Sequence, residues 1–316
     1  MLYNQMKFLI VDDVHPYLLE SFEQNTISFS YQPDIQKNNV FEIISEYTGL
    51  IVRSKIQIDR IFLEKASQLQ IVGRAGSGMD NIDVEEAQKR NITLINAPEG
   101  NRDAVAEHCM ALLLGILNKV PNANEEVKNK IWLREANRGT ELRGKTIGII
   151  GYGNTGKEFA KRLMGFDTTI LAYDKKSFYG NNFAKESSLE EIWAKADIIS
   201  FHVSLDDTSR KMFNKEFLER CQKPFWLINS SRGEVVDLET VCYGLQTGKI
   251  LGAGLDVLEN EKLNTFTQEQ EAIFNTLISF PNVILSPHVA GWTVESYKKI
   301  SETLAHKIIH HLKHLN

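Results

Sequence analysis

Three apolar stretches of the 316-residue chain end in residues able to do chemistry. Trp226–Gly233 carries Arg232, Gly252–Glu261 carries Asp256, Glu259 and Glu261, and Val283–Thr293 carries His288. In doubly wound sheets, ligands bind beyond the carboxyl ends of strands, so all three lie where a ligand is expected. A cation, an imidazole and a carboxylate together suit the addition of a hydride to a ketone. Arg232 would polarise the oxygen on which negative charge builds and pair with a neighbouring carboxylate. His288 would deliver the proton, because an imidazole titrates near neutral pH. Glu261, bound to the other ring nitrogen, would fix the tautomer and stabilise the imidazolium. The hydride itself calls for a nicotinamide cofactor and no metal.

A place for that cofactor is legible upstream. Thr146–Ala160 reads TIGIIGYGNTGKEFA, a GxGxxG motif between an apolar run and an amphipathic segment. Gly151 would permit the tight turn, Gly153 would let the backbone approach a pyrophosphate, and Gly156 would let the helix pack on the strand. The diphosphate would sit at the helix N-terminus, where free N–H groups and the macrodipole favour an anion. The next apolar run, Thr169–Tyr173, is followed by Asp174, close to the spacing of about 20 residues expected of a ribose-binding acid. A carboxylate there accepts the 2′- and 3′-hydroxyls and repels a 2′-phosphate, which favours NAD over NADP.

The elements that must position these residues alternate between short apolar runs and helical patterns. The runs are Phe8–Val11, Gly49–Arg53, Leu69–Gly73, Ile92–Asn96, Thr146–Ile150, Thr169–Tyr173, Asp197–Val203, Phe225–Asn229, Ile250–Leu255 and Val283–Leu285. Several are continuous in Ile, Val and Leu, the pattern of strands buried on both faces of a parallel sheet. Two sheets fit better than one. A long helical segment, Asn101 to Lys119, and a polar stretch, Pro121 to Glu141, separate the early strands from a fresh Rossmann unit that starts at Lys145. The last helical pattern, Thr293 to Leu312, carries His306, His310 and His311, with His314 beyond it, and reads as a solvated helix end without a function.

Composition narrows the class. Apolar residues make up 42% and charged residues 24%, ordinary for a globular chain with a sizeable core. The net charge of -5 argues against a nucleic-acid surface. Cys109, Cys221 and Cys242 lack metal-ligand spacing and read as reduced thiols of a cytoplasmic protein. No leader pattern precedes Lys7. The most apolar helical segment, Ala104–Leu117, opens on Arg102, Asp103, Glu107 and His108, too polar and too short to span a bilayer.

Taken as a set, these motifs are similar to those of one family. Val52–Lys55, Val72–Asp83, Glu141–Gly148, the glycine motif, Phe201–Val203, Asn229–Gly233, Gly254–Val257 and Pro287–Gly291 resemble the D-2-hydroxyacid dehydrogenases, and within them the phosphoglycerate-oxidising branch. The resemblance implies two α/β domains with parallel sheets, Rossmann-like or flavodoxin-like. Residues 1–100 plus 286–316 would form a discontinuous substrate domain and 101–285 the NAD-binding domain, with the active site in the cleft between them and a homodimer formed through the cofactor domain. It implies an Arg–Glu–His set on Arg232, Glu261 and His288, with Glu259 the near miss, since the family's glutamate stands five residues after the aspartate. Cofactor contacts would fall at Ser77, Asn154, Thr155, Asp174, Val203, Ser230 and Asp256, and in the same motifs at His202 and Gly291.

A small anionic substrate would meet Ser77 and Gly78 in a glycine-rich turn, Arg232 and His288, with Arg53, Lys55 and Arg74 supplying positive charge for a phosphate. The reaction implied is oxidation of 3-phospho-D-glycerate to 3-phosphohydroxypyruvate, the first step of serine synthesis. The alternatives are a glyoxylate/hydroxypyruvate reductase, a D-lactate-type dehydrogenase, or an NAD-sensing binding protein like the family's corepressors. Three positions depart from the pattern. Asn154 stands where Arg is frequent, Ser204 where Pro is frequent, and bulky Trp292 follows Gly291, where it would narrow the pocket. The chain stops soon after its last helix, so feedback by serine through an appended domain is not expected.

Overall fold

A computed structural model describes residues 6–177 and 183–314. Its strands form two all-parallel sheets. The first contains β1 (Lys7–Ile10), β2 (Ser28–Tyr31), β3 (Gly49–Val52), β4 (Ile71–Arg74) and β5 (Thr93–Asn96), in the order β2-β1-β3-β4-β5. The second contains β6 (Thr146–Ile150), β7 (Thr169–Tyr173), β8 (Lys185–Glu186), β9 (Ile198–Phe201), β10 (Phe225–Asn229), β11 (Ile250–Leu255) and β12 (Val283–Leu285), in the order β12-β11-β10-β9-β6-β7-β8. The first order is flavodoxin-like; the second is the dinucleotide-binding order extended by one strand. Each order reverses once, between β1 and β3 and between β6 and β9. At such switch points the loops diverge and leave a crevice for a ligand.

Central strands match the continuous apolar runs. All four residues of β3 and all four of β9 are buried, since helices cover both faces. Two of the four edge strands, β2 and β8, escaped the pattern, while β5 and β12 matched apolar runs. The sequence of β2, SFSY, is partly exposed, and β8 is two charged residues, Lys185 and Glu186. Such edges pair on one side only and need no apolar run. Arg53 lies one residue beyond β3, not within it, whereas Arg74 is the last residue of β4.

The chain divides into two compact units, Met1–Arg102 with Trp292–Asn316, and Asp103–Gly291. The second break falls at Gly291, a few residues past the boundary that the resemblance implies. Asp256 at the end of β11 is the reason: its carbonyl accepts the His288 N–H, and its carboxylate accepts those of Val289 and Ala290. These bonds keep the loop in the second unit.

In the first unit, helix Val294–Lys313 opens on a Thr293 capping box and buries Ile300, Leu304, Ala305, Ile308 and Leu312 against Phe8, Ile10 and Ile51. That spacing is the apolar stripe of an amphipathic helix. In the second, helix Pro98–Leu117 buries Val105, Cys109, Leu112, Leu113 and Ile116 against Ile147, Phe159 and Ile228. Among the described residues, no single helix is long and apolar enough to cross a membrane.

Candidate active site

The glycine turn between β6 and helix Asn154–Leu163 is built by two steric demands. Gly151 has φ +92°, and a Cβ there would lie 2.6 Å from the His202 carbonyl. A Cβ on Gly156 would lie 2.1 Å from the Gly151 oxygen, so only glycine lets the helix rest on the strand end. Gly153, the helix N-cap, is different: a Cβ there meets nothing within 4 Å. The fold places no atom that requires glycine at 153, while a diphosphate on the free first-turn N–H groups of Asn154 and Thr155 would. These residues therefore fit a dinucleotide.

Asp174 closes the turn. Its Oδ2 accepts the Tyr152 N–H at 2.7 Å and its Oδ1 accepts that of Lys176 at 2.9 Å. The half-buried carboxylate is thus aimed by the glycine turn itself. His202 was expected among the cofactor contacts, but its ring is a core group: buried, 2.8 Å from the Ser200 hydroxyl, and packed on Phe159 at 5.3 Å. Burial pulls its pKa down to about 3, so the ring is neutral at working pH. Its backbone and the Val203 N–H run past Gly151. At the other departure in this region, the Ser204 carbonyl accepts the Ser209 hydroxyl at 2.7 Å.

The catalytic candidates follow β10, β11 and β12. Buried Asn229 ends β10 and shapes its loop, accepting the Ser231 N–H and hydroxyl at 3.0 and 2.7 Å and donating to the Arg232 carbonyl at 2.9 Å. Arg232 is half-buried, one guanidinium nitrogen donating to the Ser231 carbonyl at 2.6 Å. A Cβ on the following Gly233 would stand 1.9 Å from the Leu258 oxygen, so the β10 and β11 loops pack directly together. The Ser230 hydroxyl pairs with the buried Cys109 thiol at 2.9 Å.

His288 Nδ1 lies 2.8 Å from Glu261 Oε1 and 3.0 Å from Oε2. Glu259 faces elsewhere and accepts the Leu238 N–H at 3.1 Å, its carboxyl pushed up by burial. No hydrogen bond among the described residues engages His288 Nε2, and the imidazole and carboxylate line an open pocket of about 370 Å³ with apolar walls at Leu258, Leu263, Phe274 and Leu285.

His288 itself has φ +55°, a left-handed conformation that costs a non-glycine residue roughly 1–2 kcal/mol. Asp256 holds it there. The His288 N–H reaches the Asp256 carbonyl at 2.7 Å, and the carboxylate, 1% exposed, takes the Ser286 hydroxyl at 2.6 Å and the N–H groups of Val289 and Ala290 at 3.0 and 2.8 Å. Asp256, expected as a cofactor contact, is therefore occupied by the loop that carries His288.

The first unit brings Arg53 and Arg74 to neighbouring strand ends, since Val52 pairs with Arg74. It does not leave Lys55 with them. The Lys55 ammonium donates to the carbonyls of Val11, at 2.6 Å, and Pro33, and so ties two strand ends together. Arg53 donates its backbone N–H to Asp12 at 2.6 Å, and its guanidinium lies 3.9 Å above the Trp292 ring. Burial pushes Arg53 below its usual range, while Asp12 and Asp13 oppose the shift. Trp292, expected to narrow a pocket, thus serves as a platform for Arg53. Asp13 accepts the hydroxyls of Tyr297, at 2.7 Å, and Tyr31, at 3.3 Å. The Arg74 guanidinium lies over Gly76, 1.4 Å from where a Cβ would be, and the Ser77 carbonyl accepts Asn96 Nδ2 at 2.7 Å. The turn continues through Gly78.

Sequence reasoning missed the residues that place these groups: Asp12 and Asp13, Asn229, and Asn81, which donates to the carbonyls of Arg53 and Ile56. Their signal is weak, because a turn-forming Asp or Asn looks alike wherever it sits. Among the described residues, no group of three His, Cys, Asp or Glu could hold a metal ion.

Residues 110–290 match the model of the family described as D-isomer specific 2-hydroxyacid dehydrogenase, NAD binding domain. The chain belongs to this family. It is 31% identical to a D-3-phosphoglycerate dehydrogenase of Archaeoglobus fulgidus over 98% of its own length, although it spans only 58% of that relative. It is 33% identical to a hydroxypyruvate reductase of Thermotoga maritima, covering 88% of this chain and 89% of the relative. Among solved structures, an NADPH-dependent glyoxylate/hydroxypyruvate reductase from Sinorhizobium meliloti superposes with a TM-score of 0.79 at 27% identity, covering 98% of this chain and 95% of the other.

Proposed function

We propose that the chain is an NAD-dependent D-2-hydroxyacid dehydrogenase acting at C2 of a small anionic substrate. The observation that carries this reading is the Glu261–His288 pair at 2.8 Å, which joins the loops after β11 and β12, the first of them packed against the loop that bears Arg232. Bound NADH supplies the hydride. Arg232 holds the substrate carboxylate and draws charge onto the carbonyl oxygen. His288, with Nδ1 on Glu261, gives its Nε2 proton to that oxygen, and the carboxylate stabilises the charge pattern on the ring before the transfer. A 2-oxo acid, NADH and one proton thus become a 2-hydroxy acid and NAD; in the oxidative direction His288 is the base. Asp174 at the ribose end supports NAD over NADP.

For the substrate, 3-phosphohydroxypyruvate and 3-phospho-D-glycerate are the leading pair, supported by Arg53 and Arg74 at adjacent strand ends and by the phosphoglycerate dehydrogenase relative. The bond of Lys55 to the Val11 carbonyl and the acidic neighbours of Arg53 favour a second reading, plain hydroxypyruvate. Initial rates with NADH on both oxo acids separate them. A higher kcat/KM for the phosphorylated acid is expected, and equal values overturn the phosphate assignment. No turnover on any 2-oxo acid, with a stoichiometric protein partner recovered, would favour a binding protein instead. A homodimer through the second unit belongs to the same reading. Exposed Val120, Val127, Ile131, Trp132 and Leu133, on helix Val120–Lys128 and the segment after it, support that contact. Three buried free cysteines support a reducing compartment.

A further inference from the structure

Helix Pro98–Leu117 carries one polar side chain to the base of the His288 loop. His108 Nε2 lies 2.8 Å from the Ser286 hydroxyl and 3.5 Å from Asp256 Oδ1. The single hydrogen of Ser286 goes to Asp256 at 2.6 Å. The hydroxyl must therefore accept from His108, which places a proton on His108 Nε2. From Asp256 the chain of bonds passes to the N–H groups of Val289 and Ala290, while the Asp256 carbonyl takes that of His288. Three successive backbone N–H groups, 288 to 290, thus end on one residue, and that residue's Oδ1 is aimed by Ser286 and His108. The left-handed φ of His288 shows what the arrangement achieves: the backbone is held where its own preference would not leave it.

We infer that His108 is a positioning residue of the reaction, acting through Ser286 and Asp256 to set the backbone from which the His288 imidazole reaches its substrate. The inference rests on His288 being the proton donor of the proposed function. His108 lies three bonds' reach from the reacting atoms and touches neither substrate nor cofactor in this role. Its effect is on alignment, and misplacing a reacting group by about 1 Å costs on the order of 100-fold in rate.

The test compares His108→Ala, Ser286→Ala and His108→Gln, whose side-chain amide still donates from a similar reach. The alanine variants should lower kcat roughly 10- to 100-fold on the best 2-oxo acid. NADH affinity, read by fluorescence titration, and the urea midpoint should stay near those of the parent, and the glutamine variant should recover most of the rate. In a His288→Gln background, His108→Ala should add nothing. An unchanged kcat in both alanine variants overturns the inference. So does a parallel loss of kcat, NADH affinity and urea midpoint without recovery by glutamine, which marks a merely structural residue. If His288→Gln is itself harmless, the reading of His288 fails first; if it is harmful and His108→Ala is not, only the present inference fails.

Discussion

His288 combines two requirements that oppose each other. Its side chain must meet Glu261 at 2.8 Å, and its backbone must adopt φ +55° to let it do so. On the proposed function, that strain is small beside the rate that a positioned acid contributes, typically about 10²–10⁴-fold. His288→Gln should therefore cost turnover by about that factor while NADH still binds, because Gln fills a similar volume and has no titrating proton. A variant with undiminished kcat sinks the acid assignment. At this scale the sequence was informative about placement: Arg232, Glu261 and His288 stand out at strand ends as cation, carboxylate and imidazole, and the last two meet in the fold. It was silent on the bonds of Lys55, which go to the carbonyls of Val11 and Pro33, from segments that only the folded sheet brings near.

The glycine turn divides cleanly between residues the element needs and residues a ligand needs. A Cβ on Gly156 would strike a backbone oxygen at 2.1 Å, and a Cβ on Gly153 would strike nothing. Gly156→Ala should lower stability, by about 1–3 kcal/mol as for other overpacked sites. Gly153→Ala should leave the urea midpoint near the parent value and weaken NADH binding. Midpoints and fluorescence titrations on the two variants check this contrast, and equal losses of stability would contradict it. The same distinction explains what was readable in the fold. Central strands such as β3 and β9 declare themselves because two covered faces demand a continuous apolar run. The edges β2 and β8 do not, because β2 is half serine and partly exposed and β8 is two exposed charged residues.

Across the whole molecule, a buried titratable group makes stability respond to acid. His202 has its pKa pulled down by burial from 6.5 to about 3, so the folded chain leaves it neutral. The unfolded chain protonates it below about pH 6.5. Between about pH 6.5 and about pH 3 the unfolded state holds more protons at this site, and the contribution of His202 to stability falls as pH falls. This one group contributes up to about 1.4 kcal/mol per pH unit in that window. Urea midpoints of the parent should decline more steeply from pH 7 to pH 5 than those of His202→Gln, and parallel declines would contradict the account. The two-sheet division was legible because a new strand–glycine–helix unit starts after a long polar stretch. Its second boundary was not, because the bonds from Asp256 to residues 288–290 leave no mark in composition.

The stack of Arg53 on Trp292 has an optical consequence. A guanidinium 3.9 Å above an indole shifts the energy of its excited state, and Trp292 is half open to water. An anion that draws Arg53 away from the ring would change the colour and yield of that tryptophan's emission. The chain has four tryptophans, so replacing Trp132, Trp193 and Trp226 by phenylalanine leaves one lamp beside the candidate anion site. Occupancy there then becomes visible with no nucleotide present, and apart from turnover.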